Sequence, residues 1–423
     1  MLRFAPSPTG DMNIGSLRVA LFNYIISKQR NEDFIVRIED IDKEKNIEGK
    51  DQEVLDILSL FGIEYSQIIY QSQNIRFHSA MALQLIHEKK AFSCFCSPAW
   101  LENKQEEAKA AKKVYSYDDA CRNLPAELVI DNTNPFTVRI VRPESTVTIH
   151  DKIKGDVIFT PDAVDSFTIM SQDKIPTDNF ASAIDDMLSD ISIIIRSEEN
   201  IGNSAKQDHI RASLNYDRKV EYAHIPTLLN NDSVSVKSLL EAGYLPEAIL
   251  NYLVSIGSEF SKEIFTMKES IEWFDLTKVS TSPTRFDMEM LKHINREHLR
   301  SLNATELSRY VGFADAEIGE LARIYLNEAG TTKELKLKIN PIFAERDIPE
   351  AFATQTTTMA AVIKVAPYFE EYDAFKNYVL QESGIKKEEF VKVLRILLTN
   401  SEDGPEIADI YKYLKNYIGE IIK

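Results

Sequence analysis

Residues 3–25 read "RFAPSPTGDMNIGSLRVALFNYI", and this stretch decides the fold. The chain from residue 2 to residue 5 is a short strand candidate that runs into Pro6, Pro8 and Gly10, a strong turn signal. From Ile14 onward Leu17, Ala20, Leu21, Tyr24 and Ile25 recur at helical spacing. A strand, a Pro/Gly turn and a helix in this order offer backbone N–H groups and a helix N-terminus to a phosphate. Working outward, "DFIVRIED" (33–40) reads as a second strand, and Val54, Ile57, Leu58 and Phe61 mark a second helix. This βαβα pattern implies a parallel sheet. Ligands of such sheets bind beyond the carboxyl ends of the strands, so Ala5 to Asn13 and Glu39 to Asp42 are expected at one site.

At 423 residues the chain is too long for one core, and two to four domains are expected. Residues from about 80 to 170 break the opening rhythm, with the charged helical stretch "LENKQEEAKAAKK" (101–113) and the alternating runs "FTVRIVRP" and "STVTIHD". They read as an insertion with its own small fold. The α/β pattern resumes over 175–230, where "ISIIIRSEE" (191–199) is a buried-strand candidate, and helical patterns fill the chain after about residue 235. A hydrophobic content of 44% and a charged content of 27% fit a soluble globular protein. No apolar run approaches the roughly 20 residues that span a bilayer, and Arg3 leads directly into the turn rather than into a leader, so a cytoplasmic location is expected. The net charge of −17 opposes non-specific adhesion to nucleic acid, so an RNA partner must be met by local basic patches.

The motifs resemble a known family. "FAPSPTG" (4–10) with Gly15, "RIED" (37–40), "SQDKIPTDNFASAIDDMLSDISIIIRSEEN" (171–200), "GYLPEAILNYL" (243–253), "FDLTKVSTSPTRFDMEMLKHIN" (274–295) and "FVKVLRILLTN" followed by "GPEI" (390–407) are similar, in order, to segments of the glutamyl-tRNA synthetases. These are class I aminoacyl-tRNA synthetases, and the resemblance spans essentially the whole chain. It implies an α/β fold: a Rossmann-type parallel-sheet catalytic domain (1–80 and 171–235) with an inserted small α+β acceptor-binding domain (81–170). A helical stem-contact domain (236–300) and an all-α anticodon-binding domain (301–423) would follow. It also implies ATP, with Mg2+, activating glutamate as the adenylate, and transfer of the glutamyl group to the 3' end of tRNA, of the glutamate or the glutamine isoacceptor. A monomer with no membrane partner is the default. On the resemblance, Arg3 and Arg196 serve the glutamate carboxylates, Ser7 assists and Glu39 receives the amino group, while Pro8, Thr9, Gly10, Asn13 and Gly15 hold ATP. Arginine suits a carboxylate because its fork makes two parallel hydrogen bonds. The alternative for Arg196 is a salt bridge to Glu198, Asp185 or Asp186.

Four departures gather around the chemistry. Asn13 stands where the resemblance expects a histidine that donates to the ATP phosphates. Its amide still donates, but without charge, and losing one such donor typically costs about 10²- to 10³-fold in rate. A lysine-rich loop is expected before "GYLPEA", yet "HIPTLLNNDSVSVKSLLEAGYLP" (224–246) runs straight across, leaving Lys237 as the nearby cation. Lys237 reads either as a catalytic cation or as a solvated helix residue. Asp178 takes the place of a tyrosine of the glutamate pocket, and two like charges at ~4 Å repel by about 4 kcal/mol at an effective dielectric of ~20. Ile41 and Ser182 replace side chains with more hydrogen-bonding capacity. Together these departures predict impaired turnover, and the alternative function is a catalytically silent paralogue that binds tRNA or glutamate.

Three cysteines in such a chain argue against a disulfide framework. "CFC" (94–96) and "YDDAC" (117–121) place Cys94, Cys96, Tyr117 and Cys121 in a pattern that resembles the zinc site in the inserted domain of some glutamyl-tRNA synthetases. Such a structural Zn2+ would staple a small insertion, and inert, partly buried thiols are the alternative. His78, His87, His150, His209, His224, His293 and His298 are expected in surface or packing roles.

Overall fold

The computed structural model describes residues 1–113, 115–230, 234–258 and 263–422. They divide into two compact units, residues 1–236 with 253–286 and residues 237–252 with 287–423.

The first unit begins with β1 (Leu2–Phe4), whose three residues are all buried, and α1 (Ile14–Arg30). Ile14, Leu17, Leu21, Phe22 and Ile25 are fully buried, so the helical periodicity is that of a core helix. Asn13 starts α1 by accepting the Ser16 N–H at 2.8 Å, and Asn31 ends it in the left-handed region at φ 53. β1 pairs in parallel with β2 (Phe34–Ile38), and β2 pairs in parallel with β3 (Gln67–Tyr70) after α2 (Lys50–Leu60).

The next stretch supplies α3 (Ile75–His87), β4 (Ala91–Cys94), α4 (Pro98–Ala110), α5 (Ala126–Ile130), β5 (Thr137–Ile140), β6 (Val147–Asp151), β7 (Gly155–Phe159), α6 (Pro161–Val164) and β8 (Thr168–Met170). Strands β4, β5 and β8 form an antiparallel sheet. The β6–β7 hairpin, which lies within the range read from sequence as inserted, joins a second sheet. That sheet has the order β7-β6-β10-β9, with β9 (Ile193–Ser197) and β10 (Glu221–Ile225) parallel to β6. Helix α7 (Asp178–Leu188) precedes β9, and α8 (Ile201–Ser213) links β9 to β10. This mixed sheet meets the β1-β2-β3 sheet where the Ser192 N–H donates to the Met1 carbonyl at 3.0 Å, so β1 and β9 lie side by side. Strand order runs outward in opposite directions from this pair, which makes it a switch point. Ile35, Leu85, Ile140, Ile169, Phe180, Ile184 and Ile194 share one apolar core that joins these layers. Burying each such side chain contributes about 1.5–3 kcal/mol.

Beyond β10, β11 (Leu228–Leu229) pairs in parallel with β12 (Thr284–Arg285). Helix α9 (Val236–Glu241) leads into the second unit, whose regular elements among the described residues are helical. Leu291, Leu335, Val393, Leu394 and Leu414 are fully buried there.

One ionic cluster ties the first unit together. Arg3 of β1 donates from Nε to Asp186 Oδ1 at 3.0 Å, and Arg37 of β2 donates from Nη1 to the same oxygen at 2.6 Å. All three side chains are buried, with Arg3, Arg37 and Asp186 exposed by 4%, 0% and 2%. Burial opposes ionisation of Asp186, but Arg3 and Arg37 hold its carboxyl well below the ordinary range. Burial likewise disfavours the Arg37 charge, and Asp186, Glu39 and Asp185 more than offset it. A carboxyl lowered in this way stabilises the fold above about pH 4, the ordinary carboxylate range, and loses that contribution as pH falls through the lowered folded value. Asp186→Asn leaves two buried guanidinium groups without their carboxylate. It is expected to lower stability by about 3–5 kcal/mol near neutral pH, read as a reduced urea midpoint, with a smaller difference in acid. A change below about 1 kcal/mol would assign the cluster the weight of a surface pair.

Candidate active site

A cleft of about 620 Å³ opens beyond the carboxyl ends of β1, β2, β9 and β10. It is positioned by the switch point between β1 and β9, as an open α/β sheet requires. Ser7, Thr9, Asn13 and Gly15 of the opening turn line one side. Arg3, Glu39, Ser182 and Arg196 line the floor, and Asp178 stands at the first turn of α7. Nine of the candidate residues thus converge here. Pro8 and Gly10 do not line the cleft; the Pro8 carbonyl instead accepts the Ile47 N–H at 2.8 Å, holding the turn against the segment after β2. Lys237 is exposed on α9 and is also absent from the lining, because the helical register of "SVKSLL" turns Val236 and Leu239 inward and Lys237 out. Of the stretch 224–246, residues 231–233 lie outside the described residues.

The cations of the cleft are arginines. Among the described residues the lining holds Arg3, Arg18, Arg37 and Arg196 and no lysine. Arg18 donates to the carbonyls of Leu253, Pro226 and Ile256 at 3.1, 3.2 and 2.7 Å, so it braces the neighbouring backbone. Arg3 borders the cleft while bonded to Asp186. The salt bridge considered for Arg196 is not formed. Glu198 pairs with Lys154, Asp186 with Arg3 and Arg37, and Asp185 accepts from Gln71 and Asn74 and contacts His78. Arg196 Nη2 donates to Ser204 Oγ at 2.6 Å instead. Burial and then the adjacent Arg3 push the Arg196 pKa down to about 9, which leaves it cationic at neutral pH.

Glu39 is oriented from two sides. Arg37 Nη2 donates to Glu39 Oε1 at 3.3 Å, and Ser182 Oγ donates to the same oxygen at 3.1 Å. Ser182 therefore acts through Glu39. Asn13 is exposed, its side-chain carbonyl engaged by Ser16 N–H. Its amide group remains a donor at the mouth of the cleft. The backbone of Asn13 bridges to Ser235, and Val236 N–H donates to the Met12 carbonyl at 2.9 Å, so the segment after residue 233 packs beside the opening turn.

A second constellation lies apart from the cleft. The Sγ atoms of Cys94, Cys96 and Cys121 lie within 4.8 Å of one another. The Tyr117 hydroxyl is 3.3 Å from both Cys94 Sγ and Cys96 Sγ and accepts the Cys121 N–H at 3.2 Å. Burial pushes the Cys96 thiol up to about 12, and burial with the neighbouring sulfurs raises Tyr117 above the ordinary phenol range. The Arg139 guanidinium sits 4.1 Å from the Tyr117 ring centroid, a cation above the cluster. The roles of Arg37, Asp151 and Ser204 escaped the sequence reading, which named Asp186 only as a possible partner of Arg196 and His224 only as a surface or packing residue. His224 lies in the buried strand β10.

The family model for the catalytic domain of class I tRNA synthetases (E and Q) matches residues 1–293. The chain is 61% identical to glutamate–tRNA ligase 2 of Sulfurimonas denitrificans and 49% identical to glutamate–tRNA ligase 1 of Nitratiruptor sp., each over 100% of both chains. Both alignments run over 432 positions against 423 residues here, so the relatives carry about nine residues that this chain lacks. Among solved structures, a glutamate tRNA ligase from Elizabethkingia meningosepticum in complex with its amino acid superposes with a TM-score of 0.84. The match covers 99% of this chain and 97% of that one at 23% identity, a likeness of fold.

The cap at Asn13 has a measurable weight. Asn13→Ala is expected to lower stability by about 1 kcal/mol, and Asn13→Ser to leave it within a few tenths of that of the wild type, both read from urea unfolding. Equal stability for Asn13→Ala and wild type would remove the capping role.

Proposed function

Because the chain belongs to the class I tRNA synthetases of the glutamate and glutamine type, we propose that it is a glutamate–tRNA ligase. It activates glutamate with ATP, entering as its Mg2+ complex, and passes the glutamyl group to the 3' end of tRNA. The observation that carries this reading is Arg196: a cation at the cleft floor with no carboxylate of the described residues in salt-bridge range. It is the partner for the glutamate side-chain carboxylate. Glu39, held through Oε1 by Arg37 and Ser182, keeps Oε2 for the substrate ammonium. Ser7 and Arg3 border the same floor. The backbone at Thr9 and Gly15 and the N-terminus of α1 receive the ATP phosphates, with the Asn13 amide as an uncharged donor.

The chemistry is positional and electrostatic. One oxygen of the glutamate α-carboxylate attacks the α-phosphorus, pyrophosphate leaves, and a ribose hydroxyl of tRNA then attacks the mixed anhydride and releases AMP. Holding the two reactants in contact lowers the barrier, and donors aimed at developing charge lower it further. Asp178 at the cleft wall excludes a second anion from that side and narrows the site to one carboxylate orientation. The alternative read from the sequence, a silent paralogue that binds tRNA or glutamate, gains no support from the full-length likeness to glutamate–tRNA ligases.

Domain roles follow the same reading. Residues 1–80 and 171–235 carry the activation site and 81–170 the acceptor end. Residues 236–300 meet the stem and 301–423 the anticodon, in a cytoplasmic monomer. No described helix is long and apolar enough to cross a membrane. The Cys94, Cys96, Cys121 and Tyr117 set fits zinc: three sulfurs and one phenol oxygen converge, and Arg139 offsets their negative charge. These four residues would hold the ion, which supplies a structural cross-link of the insertion.

Two measurements test the proposal. Glutamate-dependent ATP–pyrophosphate exchange, with tRNA present, is expected above background, and Asn13→His is expected to raise it by about 10- to 100-fold. No exchange from either chain would leave the silent paralogue. Elemental analysis of the purified chain is expected to give one zinc per molecule, lost in a Cys94→Ser Cys121→Ser variant together with part of the thermal stability. A metal-free chain of unchanged melting temperature on zinc addition would leave plain thiols.

A further inference from the structure

Behind Arg196 stand three buried polar side chains from three different elements. Strands β9 and β10 are in parallel register with Arg196 opposite His224. Ser204 comes from the first turns of α8, and Asp151 from the end of β6. Asp151, Ser204 and His224 are 6%, 0% and 0% exposed. Arg196 Nη2 lies 2.6 Å from Ser204 Oγ, Ser204 Oγ lies 2.8 Å from His224 Nε2, and His224 Nδ1 lies 2.6 Å from Asp151 Oδ2.

The proton positions along this line follow from chemistry. Asp151 also accepts the backbone N–H groups of His224, Ile153 and Lys154 at 2.9, 2.9 and 2.8 Å, and these donors with the His224 ring outweigh burial and keep it ionised. An ionised carboxylate only accepts, so His224 Nδ1 carries the hydrogen. Burial lowers the His224 pKa, so the ring is neutral and Nε2 is an acceptor. Ser204 must then donate its single hydroxyl hydrogen to Nε2. Its lone pairs are left for Arg196, which can only donate. Every donor meets an acceptor in one direction, from the guanidinium to the buried carboxylate.

We infer that Asp151, His224 and Ser204 form a positioning relay that fixes the Arg196 guanidinium and makes the substrate pocket selective for a carboxylate over a carboxamide. The inference rests on the reading of Arg196 as the partner of the glutamate side chain. A carboxylate in direct contact with Arg196 would have neutralised it and taken its fork. The relay instead answers the charge at a distance of three hydrogen bonds. It occupies Nη2, with Nε only 3.5 Å from His224 Nε2, and no described residue bonds to Nη1. A fixed cation with a free edge binds a bidentate anion, and the neutral amide of glutamine gains far less from it.

The test is titration calorimetry of glutamate and of glutamine into the full-length chain. Ser204→Ala and the near-isosteric Ser204→Cys are expected to weaken glutamate binding by about 10-fold or more, with glutamine binding changed less than about 2-fold. Ser204→Thr, which restores the hydroxyl, is expected to recover glutamate affinity. Arg196→Lys separates the two claims. If it weakens glutamate binding while both serine variants bind as wild type does, the relay is overturned and the role of Arg196 stands. If Arg196→Lys leaves glutamate binding unchanged, or the wild-type chain binds no glutamate, the underlying reading fails and the relay with it. Equal loss of glutamate and glutamine affinity in Ser204→Cys would reduce the relay to packing.

Discussion

The structure depends on a buried carboxylate shared by two arginines. Asp186 of α7 receives Arg3 from β1 and Arg37 from β2, all within the core. Desolvating three charges is costly, and the arrangement is stable because each ion is matched at hydrogen-bond distance. The consequence is geometric. The same contacts lock β1 and β2 to α7, and Arg37 continues from Asp186 to Glu39. A structural ion cluster thus orients Glu39 in the cleft.

A second polar line runs on the other side of the switch point, from Asp151 through His224 and Ser204 to Arg196. The two lines divide the work by sign. In the proposed function one presents an anion, Glu39, to the substrate ammonium group, and the other presents a cation, Arg196, to its carboxylate. An amino acid with an acidic side chain has both features, and a cleft of about 620 Å³ leaves room for a nucleotide beside it.

The sequence made the scaffold legible because period and punctuation are local properties. The strand at 2–5, the turn at Pro6 to Gly10 and the helix from Ile14 follow from spacing alone, and β1 and α1 occur where that spacing puts them. Most of the cleft was legible through the motifs around Arg3, Glu39 and Arg196. Its supports were not. Asp186 and Arg37 meet across 149 residues of chain, and Asp151 and His224 across 73, so no window of sequence contains either pair. Boundaries failed for a similar reason: the β6–β7 hairpin sits among inserted residues by sequence yet pairs with β10. Pro8 and Gly10 were read as ligand contacts because a turn motif does not say which of its residues face inward. Asn13, read as an ATP contact and an uncharged donor in place of a histidine, is also the N-cap of the helix that defines the site.

The central claim is that this cleft, with arginines and an asparagine where a lysine-rich loop and a histidine would be expected, still supports ligation. The most direct measurement is charging of tRNA with labelled glutamate by the full-length chain at saturating ATP. Acid-precipitable glutamyl-tRNA that accumulates with time and disappears on omission of ATP is expected. No labelled tRNA above an enzyme-free control, from a chain that binds both glutamate and tRNA, would contradict it.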